Sequence, residues 1–156
     1  MGIWTMCMRI TADELRHLQV EDGSEPAQAY WERLSKNDPD YLWMDKSNFL
    51  ISCALDAPVV PEKRPVLDLW ESGTPLVHIQ ATYGPPRFLW PHEVQAIVRI
   101  LIQSGWDGIP DPPSPTIDYI EYTIAHWSAC VAHCKALIHV LQGAAKHGDV
   151  IMLWLS

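Results

Sequence analysis

Val150-Ile-Met-Leu-Trp-Leu155 is an unbroken apolar run of strand length, and it follows Gly148 at the end of a long segment, Thr116 to about Lys146. Within that segment Ile120, Ile124, Trp127, Val131, Cys134, Ile138 and Leu141 recur at alternating steps of four and three. That spacing stacks them on a single stripe of one helix, the spine of a core. A strand that is apolar at every position, rather than at every second one, has to be covered on both faces. The reading predicts a long helix, a stop at Gly148 and a C-terminal strand buried on both sides.

The elements upstream have to pack around that pair. Pro91 is placed as the first residue of a helix whose inner face is Val94, Ile97, Val98 and Leu101, with Gly105 ending it. Before it, Leu76 to Thr82 partly alternates polar and apolar residues and reads as a strand, and Tyr83-Gly84-Pro85-Pro86 as a stiff turn. Gly108 to Pro115 is too rich in proline for helix or strand and reads as a surface loop. From Leu42 to Leu55 the chain is apolar on most of a helical circumference, which predicts a central buried helix. A shorter helix follows Pro26, with Tyr30, Trp31 and Leu34 inward, and ends at Asn37-Asp38-Pro39. At the front, Gly2 to Ile10 is β-prone, and Thr11-Ala-Asp-Glu14 is a capping box opening a helix with Leu15 and Leu18 on its buried edge. The order of elements predicts α+β architecture: helices packed on a small mixed or antiparallel sheet, in a single domain spanning 1–156.

The chain has 156 residues, 48% of them apolar, and 11 Lys+Arg against 19 Asp+Glu give a net charge of −8. A chain of this length buries enough surface to fold without staples or metal. Acids outnumber bases, which argues against nucleic acid, whose phosphates draw affinity from Lys and Arg. No apolar run reaches membrane-spanning length and no basic stretch precedes the first apolar residues, so a cytoplasmic protein is expected, with no membrane partner. Cys7, Cys53, Cys130 and Cys134 are read as reduced thiols, since Cys130 and Cys134 on one helix have poorly directed Cβ vectors for a bridge.

Several stretches together resemble the YfbM-like proteins, a bacterial domain family. They are the Met-Gly start with its strand and helix; Tyr83-Gly84-Pro85-Pro86-Arg87-Phe88-Leu89 with Pro91, Glu93 and Val94; Ala144-Ala145 with Gly148-Asp149 and the strand after it; and the pair Asp45-Lys46. The resemblance implies helices against a small sheet and implies no activity. Two positions depart from the family pattern. Asn48 and Ser52 stand where the family has a Trp and then a His, and Trp90 replaces the Thr that caps the helix.

The residues that can carry chemistry fall into three groups. His126, Cys130 and His133 share one face of the long helix, a ligand set that needs His78 or Cys7 from elsewhere to complete a zinc site. No paired-cysteine spacing accompanies them, and buried Cys and hydrogen-bonded His are ordinary core residues, so no metal or other cofactor is expected. A nucleophilic Cys7 or Cys130 needs a thiolate-favouring, exposed setting. Second, Tyr83 and Arg87 sit on the stiff turn, with Trp90, Trp43 and Asp45 as companions in a binding surface. There Arg87 either anchors an anionic group with its five-donor fork or pairs with Asp45 or another internal acid to pin the loop. Third, nine acids against three bases lie between Asp13 and Asp45, four acids and no Lys or Arg lie between Ile100 and Cys134, and the chain holds 8 Trp. Acidic segments with surplus aromatics predict a binding protein without catalysis that engages a basic protein, as an immunity-type or antitoxin-type inhibitor does. The alternative is an enzyme or small-ligand protein, its Trp- and Tyr-lined pocket holding a small anionic ligand on Arg87.

Overall fold

The computed structural model describes residues 5–20, 25–37, 41–44, 72–103 and 120–155, excluding the side chains of 37, 43, 44, 120–128, 130, 131 and 134. The elements are β1 (Thr5–Ile10), α1 (Ala12–Gln19), α2 (Ala27–Asn37), β2 (Tyr41–Met44), β3 (Thr74–Pro75), β4 (Arg87–Leu89), α3 (Pro91–Gln103), α4 (Ile120–His147) and β5 (Val150–Leu155). The five strands form one antiparallel sheet in the order β2-β1-β5-β4-β3. The α+β class is therefore as expected. No helix among the described residues is long and apolar enough to cross a membrane.

β5 occupies the centre of the sheet, paired along its length with β1 from Thr5↔Leu155 to Ile10↔Val150, and on its other side with β4. Its continuous apolar run follows from two coverings. Val150, Met152 and Trp154 join Met6, Met8, Ile10 and Phe88 on the face covered by Leu15 and Leu18 of α1 and Ala27 and Trp31 of α2. Ile151 and Leu153 join Cys7 and Leu89 on the opposite face, under Val94, Ile97 and Leu101 of α3 and Leu137, Ile138, Leu141 and Ala144 of α4. The period of two along each strand thus sorts side chains into two cores separated by the sheet. Trp31 and Trp154 meet edge to face, ring centroids 4.6 Å apart, in the α1–α2 core.

Local chemistry sets the helix ends. The capping box at α1 is present in both directions: the Glu14 N–H donates to Thr11 Oγ1 at 3.2 Å and the Thr11 N–H to Glu14 Oε2 at 2.7 Å. Pro91 opens α3, where Trp90 has no hydroxyl to cap the first turn. The reverse half of a capping box remains, with the Trp90 N–H donating to Glu93 Oε2 at 2.7 Å. At the end of α4, Gly148 has φ +69° and the Asp149 N–H donates to the Ala144 carbonyl at 2.9 Å, the six-to-one closure of a Schellman motif. Asp149 then accepts from Arg9 Nε at 2.6 Å, tying the end of β1 to the helix-to-strand turn. A Cβ on Gly143 would stand 3.1 Å from Arg9 Nη1, so the small residue leaves room for the guanidinium.

Two expected elements are corrected. Leu42, Trp43 and Met44 begin no helix: they lie in β2, their backbones opposite Cys7, Met6 and Thr5. Tyr41 packs with one core and Leu42 with the other, so the apolar pattern there reflects two covered sheet faces rather than a helical circumference. The rest of the expected helix, from Asp45 onward, lies outside the described residues. Leu76 to Thr82 is a series of turns and not a strand. Leu76 and Ile79 are its buried residues, and the Ile79 N–H donates to the Leu76 carbonyl at 3.1 Å, a spacing of three that a turn produces and a strand does not. The actual strands are the short β3 and β4 on either side. The stops expected at Gly105 and in Gly108–Pro115 lie outside the described residues. So do the side chains of Ile120, Ile124, Trp127, Val131 and Cys134, while Ile138 and Leu141 are buried as expected.

Candidate binding surface

The segment from Ser72 to Trp90 folds as a hairpin at the β3 edge of the sheet, and its shape depends on one glycine. Gly73 has φ +78°, and a Cβ there would collide with the carbonyl oxygen of Phe88, on the strand paired to it. The close approach lets the Gly73 carbonyl accept from Arg87 Nη1 at 3.0 Å. Farther out, the Leu76 N–H donates to the Pro86 carbonyl at 2.8 Å, and the Gly84 N–H to the Ala81 carbonyl at 3.3 Å, with Gly84 at φ +105°. The Gln80 N–H donates to Gln28 Oε1 of α2 at 3.1 Å. Both ends of the loop and its middle are therefore held.

On this rigid loop stand large apolar side chains that the fold does not bury. Val77 is 65% exposed, Tyr83 50% and Trp90 38%, and Trp90 rests edge-on against the buried Phe88 at 5.2 Å between centroids. From Ser72 to His92 the sequence has no Asp or Glu. The surface is thus apolar with a cationic edge. Arg87, half-buried, is held by a neutral carbonyl, and among the described residues no carboxylate pairs with it. One of its five N–H donors is used there. Arg87 is thus tied to the hairpin's own backbone, and Asp45, the acid that the sequence offers as its partner, lies outside the described residues.

The other site candidates are dispersed. Trp43 is in β2 at the far side of the sheet, its backbone opposite Met6. Asp45 lies outside the described residues. His78, which the sequence offers as a completing ligand, is exposed. Of the zinc candidates, His133 is half-buried on α4 and the side chains of His126 and Cys130 are outside the described set. Among the described residues no three His, Cys, Asp or Glu are placed to hold a metal ion. Cys7 is sealed in the core between the sheet and the α3–α4 layer, and burial pushes its thiol up to about 12. At neutral pH it is an apolar filler and no nucleophile.

Sequence reading missed residues that the site depends on, namely Gly73, Val77 and Gln28. Ser-Gly-Thr at 72–74 carries a turn signal. Nothing in the sequence marks Gln28 as a loop anchor 52 residues away.

A second feature concerns charge. The carboxylates with described side chains are Asp13, Glu14, Glu25, Glu32, Glu93 and Asp149, and each is engaged. Asp13 accepts from Arg16, Glu25 from Arg33, Glu32 from Gln28 and Asp149 from Arg9, while Glu14 and Glu93 close helix caps. The other thirteen acids of the chain stand outside this set, accompanied by Lys46, Lys63 and Arg64 as the only bases outside it.

An antiparallel sheet between two helical layers, bearing a rigid apolar hairpin at one edge, defines a scaffold with a surface feature and no assembled catalytic group among the described residues. By sequence, residues 1–109 match the family described as a domain of unknown function, DUF1877, and the chain belongs to that family. The match runs from β1 through α3 and includes the hairpin. No curated protein and no solved structure matches the chain.

Proposed function

We propose that this protein is a cytosolic binding protein without catalysis of its own, of the YfbM-like group within its family, and that its partner is a basic protein it inhibits or holds in the manner of an immunity protein or antitoxin. The observation that carries this reading is the net charge of −8, from 19 Asp+Glu against 11 Lys+Arg. The six carboxylates with described side chains are taken up by three ion pairs, two helix caps and one amide contact, and the other thirteen acids of the chain, with only three of its eleven Lys and Arg, lie outside the described side chains. A net negative charge of this size steers an oppositely charged partner. The hairpin supports the same reading from the apolar side, because Val77, Tyr83 and Trp90 offer area on a pre-organised loop, the kind of surface where binding energy concentrates.

The test is association of the full chain with basic proteins encoded beside it, measured at low and high salt. Expected are a complex whose association rate falls as salt rises, inhibition of any activity the partner has, and weaker binding in Val77→Ser with Tyr83→Ser. No binding of the wild-type chain to any of these proteins, or binding indifferent to both salt and the hairpin variant, would sink the reading.

A second reading has one observation in its favour: the Arg87 guanidinium is held by a neutral carbonyl, with its charge uncompensated among the described residues. In that case Arg87 anchors a small carboxylate or phosphate. Calorimetric titration with such anions distinguishes it, with binding expected for the wild type and lost in Arg87→Gln.

A further inference from the structure

We draw no further inference here: the strongest candidate, the stripe of exposed Lys135, His139 and Lys146 on the outer face of α4, has nothing in the structure to show what covers it.

Discussion

Residues 150–155 and residues 76–82 both read as strands from their side-chain patterns, yet one is the centre of the sheet and the other is a chain of turns. The difference lies in what each buries and against what. Every residue of β5 from Val150 to Trp154 is buried, with hydrogen-bonded neighbours on both sides. The 76–82 segment buries only Leu76 and Ile79, three residues apart, and leaves the equally apolar Val77 between them exposed. A run that is apolar at every position admits few alternatives to a covered strand. A partial alternation is satisfied equally well by a turn that tucks in two side chains.

The contrast predicts where substitutions bite hardest. Leu153→Ala opens a void in the core between the sheet and α3–α4 and is expected to cost about 2–5 kcal/mol in chemical denaturation. Ile79→Ala should fall at the lower part of the same range, because Ile79 is as fully buried although it sits in turns. An Ile79→Ala loss within experimental error of zero would show that the loop does not pack as described. Gly73→Ala is next, at about 1–3 kcal/mol for an L-residue forced to positive φ, with the contact to Phe88 adding to it. The readout is a lower denaturation midpoint with an unchanged slope.

A pH-dependent effect separates the two faces of the sheet. The Cys7 thiol titrates near 12 in the folded protein against an ordinary value of 9, so folding favours its neutral form. That contribution is fully present below pH 9 and is lost as pH rises from 9 toward 12. Stability measured across this window should fall more steeply in the wild type than in Cys7→Ala, and equal slopes would show that the thiol is not sealed. The smallest stability effect belongs to the hairpin surface: Val77→Ser and Tyr83→Ser should each stay within about 0.5 kcal/mol of the wild type. A larger loss would mean these side chains support the fold and are not held in reserve for a partner.

How much of this was legible in the sequence depends on the range of the interactions involved. The Thr11–Glu14 box, the Pro91 start, the Gly148 stop and the inner face of α3 rest on residues within a turn or two of each other, and all are present. The two-sided burial of β5 was legible because composition alone demanded it. Leu42 was misassigned because a helix apolar around its circumference and a strand apolar on both faces have the same composition. Strand β4, three residues long, has too few positions to show a period. The hairpin was legible in its stiffness, from Tyr83 to Pro86, but its fixing points were not. Gln28 reaching Gln80, Arg87 reaching Gly73 and Arg9 reaching Asp149 are contacts between distant residues, which local pattern does not encode.

The central position of β5 also governs the order in which the molecule can be made. Among the described residues β2 and β1 form one half of the sheet and β4 and β3 the other, and β5 joins the two. Until β5 is inserted between them, the facing edges of β1 and β4 have no partner strand. Unpaired strand edges accept strands from other copies, so the stage before β5 is inserted is the one most open to mispairing.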